Sequence, residues 1–219
     1  VDKPNLVIFA SGKPKVDESG GGGSGAKNLV LAQRAGILSA NIVAFVSNNA
    51  SGGVQKHAQE LGIPFVYFPG PYDFGNYRYV VRSCQADFIA LSGWLKLVEG
   101  LDPRTTFNIH NGPLPEFGGL GMYGHHVHEE VLKAFHEGRL THSAVCMHFV
   151  TTEYDKGPVF FYHKVPILAA DTAEELGRRV NDIEHKWQPW ATNLVVSGRI
   201  FWDGKSLRVP PGYSFLPKP

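Results

Sequence analysis

The feature that most constrains the fold of this 219-residue chain is the alternation, through its first half, of short apolar runs with longer stretches of helical period. Asn5 to Ala10 reads as a buried strand. A glycine-rich stretch then leads to a helix from about Lys27 to Arg34, stopped near Gly36, and Ala40 to Ser47 is the next strand. Gly53 to Leu61 is helical, ended by Gly62 and Pro64, Phe65 to Phe68 is a short strand, and Phe74 to Gln85 is again helical. Asp87 to Leu91 and Thr106 to His110 complete the strands. Strands separated in this way point to right-handed βαβ units with a parallel sheet. The expected class is α/β, a doubly wound, mostly parallel sheet, and that architecture holds ligands at the carboxyl ends of its strands.

Beyond residue 110 the pattern changes. Asn111 to Gly124 is rich in Gly and Pro and reads as a loop, which feeds a helix over His126 to His136 with Val127, Val131, Leu132 and Phe135 at helical spacing. Ser143 to Val150 and Pro158 to Val165 read as an antiparallel C-terminal strand pair joined by Thr151 to Gly157. A long helix follows from Thr172 to about Val196, tolerating or bending at Pro189, with Asp171 and Glu174 in the spacing of a capping box. The tail from Pro210 to Pro219 reads as irregular surface chain. The length favours one domain over residues 1–219 rather than two small ones.

Composition removes several classes of function. Lys plus Arg is 21 and Asp plus Glu is 20, a net +1, so the chain lacks the basic excess of a nucleic-acid binder. Its longest apolar runs stop far short of the roughly 18 residues of a membrane span. Val1-Asp2-Lys3-Pro4 runs straight into a strand without a secretory type of leader, and the chain reads as cytoplasmic. Cys84 and Cys146 make no ligand spacing and read as buried thiols.

Three constellations carry chemistry. The stretch Ser19 to Gly25 lies between the first strand and the first helix, where glycines let backbone N–H groups approach an anion; it is not a P-loop, since Ala26 separates Gly25 from Lys27, and a flexible loop is the rival reading. Asn108-Ile109-His110 ends a predicted central strand, and alternate strand residues share a face, so an amide and an imidazole project together toward one substrate carbonyl. A hydrogen-bonded structural histidine is the alternative there. His125-His126-Val127-His128 is dense in imidazole, but its neighbours diverge on a helix and Glu129 and Glu130 complete no HExxH, so no metal site is expected.

With Asn108-Ile109-His110 followed by Pro113-Leu114-Pro115, and later His148-Phe149-Val150 and Asp155-Lys156-Gly157-Pro158, the sequence resembles the glycinamide ribonucleotide formyltransferases, within the folate-dependent formyltransferases. The likeness runs from Leu6 to Glu184-His185 and includes Ser47-Asn48-Asn49, Leu91 to Lys96 and Gly121-Met122-Tyr123-Gly124. It implies a formyltransferase-like Rossmann variant that passes the formyl group of 10-formyltetrahydrofolate to the glycine amine of the ribonucleotide, in purine biosynthesis, without a metal. Asn108, His110 and Asp155 would be catalytic. Gly23, Ser24 and Gly25 would hold the acceptor's phosphate, and Asn181 and Glu184 its ribose and glycinamide side. Leu95, Lys96, Leu97 and Val98, with Thr151, Thr152, Glu153 and Tyr154, would bind the folate. The N-terminal half would then bind the ribonucleotide and the C-terminal half the folate, in a monomer or homodimer.

The chain departs from that pattern in places. Lys13 to Gly22 is an insertion, Gly25 stands where the family commonly has Asn, and Asn111-Gly112 replaces the usual Pro-Ser after His110. Another amine, such as a sugar nucleotide, or water as in a 10-formyltetrahydrofolate hydrolase, are alternative acceptors. A non-catalytic nucleotide-binding module stands further off.

Overall fold

The computed structural model describes residues 2–14 and 21–217; the middle of the Lys13 to Gly22 insertion, the first residues of the Ser19 to Gly25 stretch and the end of the tail lie outside them. In chain order the elements are β1 (Asn5–Phe9), α1 (Ser24–Arg34), β2 (Asn41–Ser47), α2 (Gly53–Leu61), β3 (Phe65–Tyr67), α3 (Phe74–Ser83), β4 (Phe88–Ser92), β5 (Thr106–His110), α4 (His125–His136), β6 (His142–Phe149), β7 (Val159–Pro166), α5 (Ala173–Val196), β8 (Phe201–Trp202) and β9 (Leu207–Arg208). Seven strands form one sheet in the order β3-β2-β1-β4-β5-β6-β7, parallel through β5 and antiparallel from β5 to β7, while β8 and β9 form a separate antiparallel ribbon. The doubly wound expectation holds, and so does the antiparallel pair, which extends the main sheet at its edge.

The two faces of the sheet follow from the two-residue period of a strand. In β1, Leu6 and Ile8 face the layer that also buries Leu29 and Val30 of α1, Val131 of α4 and Val180 of α5. Val7 and Phe9 face the other way, onto Tyr77 and Val80 of α3 and onto Trp94. Each such fully buried side chain stabilises the fold by about 1.5–3 kcal/mol. The chain winds from β1 outward to β3, then crosses back to β4 on the other side of β1. The carboxyl ends of β1 and β4 therefore diverge, which is where a doubly wound sheet opens its crevice.

Several local expectations are corrected. The helix α1 begins at Ser24, three residues before the expected start, because the left-handed Gly23 (φ 83°) turns the chain directly into it without a side-chain cap. The capping box of α5 is Thr172 with Glu175, not Asp171 with Glu174. Asp171 is instead drawn to Arg179, whose Nη1 and Nη2 lie 2.6 and 2.7 Å from its two oxygens. Cys146 is buried but Cys84 is only half-buried. The tail is irregular yet docked: Tyr162 N–H donates to the Phe215 carbonyl, the Tyr213 hydroxyl donates to the Phe160 carbonyl, and the Phe215 ring stacks on Phe161. The tail thereby covers the outer strand β7, which would otherwise present an open edge.

Candidate active site

A cavity of about 430 Å³ opens at the carboxyl ends of β1, β4 and β5. It is lined by Asn108, His110 and Asp155, by Gly23, Ser24 and Gly25, by Asn181 and Glu184, by Leu95 to Val98, and by Thr151, Glu153 and Tyr154. The residues that the resemblance implies for catalysis and binding thus all line one cavity except Thr152, which is exposed and lies outside the lining.

Strand β5 delivers the amide and imidazole. Its Phe107 and Ile109 face the core, so Asn108 and His110 share the opposite face. The loop between β6 and β7 then folds back to bring Asp155 over them, with Asp155 in a left-handed conformation (φ 54°) and one oxygen accepting from the Gly119 N–H at 2.9 Å. The hairpin carries a bulge: Met147 pairs with Phe161 and His148 with Val159, leaving Phe160 as an extra residue. Beside that bulge, Asn108 Nδ2, His148 Nε2 and Asp155 Oδ1 form a triangle with sides of 3.1, 3.3 and 3.2 Å. His148 is 2 % exposed. It is the residue that the reading of side-chain roles missed, although Asn108 and His148 are opposite each other across two neighbouring strands.

The hydrogen bonds assign the protons. His110 Nε2 lies 2.7 Å from the Phe117 carbonyl, which only accepts, so Nε2 carries the hydrogen and Nδ1 faces Asp155 Oδ2 at 3.8 Å. Burial pushes the imidazole below its ordinary value; the Asp155 charge and the Phe117 carbonyl oppose that without overcoming it. In the resting protein His110 is therefore neutral at pH 7, with the Nδ1 lone pair free to accept. Burial raises the Asp155 carboxyl, but the His148 hydrogen bond, the His110 charge and the Gly119 N–H together hold it below the usual carboxylate range. His148 Nδ1 donates to the Phe149 carbonyl at 2.9 Å, which fixes its ring, so its Nε2 accepts from Asn108 when the ring is neutral and donates to Asp155 when the ring is protonated.

On the acceptor side, α5 presents Asn181, Glu184 and Gln188 at spacings of three and four residues, one helix face. Glu184 Oε2 accepts from Asn111 Nδ2 at 2.5 Å and from Asn181 Nδ2 at 3.3 Å. Gln188 donates to Ser92 Oγ at 3.1 Å, while its own carbonyl oxygen is buried without a partner. Gly25 is a close-approach glycine: a Cβ there would collide with Ser92 Oγ and lie 2.9 Å from Glu184 Oε1 and 3.1 Å from Gln188 Oε1. The insertion leaves and rejoins the chain at one point, since Lys13 N–H donates to the Gly21 carbonyl at 2.7 Å, so Gly22 to Gly25 still follow the end of β1 into α1.

Burial pushes the Glu184 carboxyl above its ordinary value, against the opposing Asn111 hydrogen bond, the His185 charge and the Asn181 hydrogen bond. A carboxyl raised in the folded protein ionises first in the unfolded chain, so folding stability falls as pH rises from the ordinary carboxyl value toward the folded one. Glu184→Gln keeps an acceptor for both asparagines and removes the charge that burial penalises. The variant is expected to melt higher than the parent at pH 7 by about 2–4 °C for each kcal/mol gained, with the difference vanishing in acid. Thermal denaturation at pH 4 and pH 7 checks this, and a lower melting temperature at pH 7 would refute it.

The imidazole tract divides between surface and core. His125 and His126 are exposed and each lies beside Glu129, at 3.4 and 3.3 Å, while His128 is buried and held down to about pH 4 chiefly by desolvation. No group of three or more possible ligands among the described residues is placed to hold a metal ion. Likewise no helix among them is long and apolar enough to cross a membrane.

The fold and cavity define a doubly wound α/β domain with an amide, an imidazole and a carboxylate converging where the sheet opens. The family model described as formyl transferase matches residues 19–192, and the chain belongs to that family. The phosphoribosylglycinamide formyltransferase, chloroplastic, of Vigna unguiculata is 33% identical over 215 residues; the match covers 92% of this chain and 64% of that protein. The chain thus spans about two thirds of that relative's length. The crystal structure of the phosphoribosylglycinamide formyltransferase from Anaplasma phagocytophilum superposes with a TM-score of 0.77 at 25% identity, covering 98% of each chain. That of glycinamide ribonucleotide transformylase 1 from Symbiobacterium toebii gives 0.79 at 23% identity, covering 95% of this chain and 94% of the other, which speaks for the fold.

Proposed function

We propose that this protein transfers the formyl group of 10-formyltetrahydrofolate to the glycine amine of glycinamide ribonucleotide, a step of purine biosynthesis, with no metal. One observation carries the reading: Asn108, His110 and Asp155 converge in a single cavity with the Gly23 to Gly25 turn at one side and Glu184 beside it. The similarity to phosphoribosylglycinamide formyltransferases supports it. Residues 1–219 act as one domain, the N-terminal half serving the ribonucleotide and the C-terminal half the folate. The same reading makes the protein a cytoplasmic monomer or homodimer that acts on small molecules and engages neither nucleic acid nor membrane.

In this reading the amine attacks the formyl carbon and the carbonyl oxygen becomes an oxyanion. Asn108 has two N–H bonds; one stays on Asp155 and the other turns to the oxyanion. His110, neutral at rest, takes the proton that the attacking nitrogen sheds, and as an imidazolium beside Asp155 it becomes a second, charge-assisted donor. Collapse of the intermediate breaks the bond to the folate nitrogen, which receives that proton. The uncapped first turn of α1 supplies backbone N–H groups to the acceptor's phosphate, and Glu184 accepts from ribose hydroxyls. Main-chain groups of Leu95 to Val98 and of the Thr151 to Asp155 loop read the donor and acceptor edge of the pterin.

The test is a steady-state assay that follows release of deformylated folate by absorbance, with and without glycinamide ribonucleotide. Release is expected only with the ribonucleotide. Release without it would make the protein a hydrolase, and no release with either would overturn the reading.

A further inference from the structure

Asn111 follows the catalytic strand immediately, yet its side chain does not join Asn108 and His110. Its Nδ2 reaches across to Glu184 Oε2 at 2.5 Å, the shorter of the two amide contacts on that oxygen. The cost of this arrangement is visible. Asn111 Oδ1 is buried with no hydrogen-bond partner, and a buried acceptor left unsatisfied costs about 1–3 kcal/mol. Rotating the amide would expose that oxygen to the carboxylate, oxygen against oxygen, so only the observed orientation serves Glu184. An amide selected for stability alone would be satisfied at both ends.

The second carboxylate oxygen is confined as well. Oε1 lies against the first turn of α1, 2.9 Å from where a Cβ on Gly25 would stand, so the lack of a side chain at position 25 is what admits it. One oxygen is thus tied to the end of β5 and the other is aimed at the turn that begins α1.

We propose that Asn111 is a positioning residue for acceptor binding: it ties the Glu184 carboxylate to the strand that carries Asn108 and His110, so that the acceptor held at Glu184 is registered against the catalytic amide and imidazole. The proposal rests on the acceptor reading given above. It differs from the roles of Asn108 and His110 in that Asn111 acts through Glu184 and touches no reacting atom.

The experiment compares the parent protein with Asn111→Ala and with Asn111→Asp, which keeps the shape but replaces the N–H2 with an acceptor. In steady-state assays both variants are expected to raise the KM for glycinamide ribonucleotide at least about tenfold, the effect of roughly 1.4 kcal/mol of lost interaction. The KM for the formyl folate is expected to stay within about twofold, and kcat to fall much less than the acceptor KM rises. Circular dichroism confirms that both fold. In parallel, NMR titration of the Glu184 carboxyl, assigned with Glu184→Gln, is expected to show its pKa rising in Asn111→Ala, because the Asn111 hydrogen bond is what opposes the effect of burial there. An unchanged acceptor KM, equal losses for both substrates, or an unmoved Glu184 titration would overturn the proposal. Absence of ribonucleotide-dependent turnover in the parent would overturn the acceptor reading and this proposal with it, and the titration alone would still show whether Asn111 governs Glu184.

Discussion

Asn108→Ala is expected to lower kcat by about 10²–10³ while the protein stays folded, because an oxyanion donor supplies its hydrogen bond mainly in the transition state. The side chain stands on β5 with only its amide nitrogen engaged, at 3.1 Å from His148 and 3.3 Å from Asp155. Its loss removes no core packing, since the core-facing residues of the strand are Phe107 and Ile109. The acceptor and folate KM values are accordingly expected to change little. Stopped-flow single-turnover kinetics with circular dichroism check this, and a variant that retains a kcat within threefold of the parent would remove Asn108 from the chemistry.

Asp155→Asn is expected to cost about 10²–10⁴ in kcat, the range of general acid–base catalysis, because it removes the counter-ion that lets His110 carry the proton. Asparagine is the informative replacement because it tolerates the left-handed backbone (φ 54°) and still offers a carbonyl oxygen to the Gly119 N–H, so the change isolates the charge. Without the carboxylate the imidazolium of His110 loses its counter-ion, and a group already depressed by burial falls further. The pH dependence has a definite sign. Asp155 is held below the ordinary carboxyl value, so it stabilises the fold above that value and the contribution is lost as pH falls through the folded one. The parent is thus expected to lose activity and stability together in acid, whereas the variant starts lower and loses less. Identical acid limbs in the two proteins would show that Asp155 does not set them.

The first half of the fold was legible because periodicity and punctuation agree there. Gly53 to Leu61 and Thr106 to His110 match the observed α2 and β5, the first ended by a left-handed Gly62 and the second followed by the Gly- and Pro-rich stretch from Asn111. The start of α1 was hidden because glycine inside a helix reads as loop, and here Gly25 belongs to the helix for the sake of its closeness to Glu184 and Ser92. Two adjacent residue pairs, Asp171 with Glu174 and Thr172 with Glu175, both satisfy the capping spacing, and Asp171 is already engaged by Arg179 and by the Leu168 N–H, which leaves the cap to Thr172. The strands β8 and β9 have two residues each, too short for any period. At the site, the shared face of Asn108 and His110 follows from strand alternation, but the nearness of Asp155 depends on how a loop folds back. Asn111 stood out only as a departure from the family's usual Pro, with nothing to show its role, because its partner lies 73 positions away on α5.

The division of labour between β5 and α5 has a consequence for how such a protein could change over time. The groups read here as chemical stand on β5 and the hairpin loop, whereas Asn181, Glu184 and Gln188 stand on one stripe of a single helix. A lineage could therefore exchange its acceptor by drift along that stripe and the facing turn of α1, leaving the reacting centre intact. Among the described residues Asn111 is the side chain that joins the two regions by a hydrogen bond, so it is the position at which such a drift would first meet resistance.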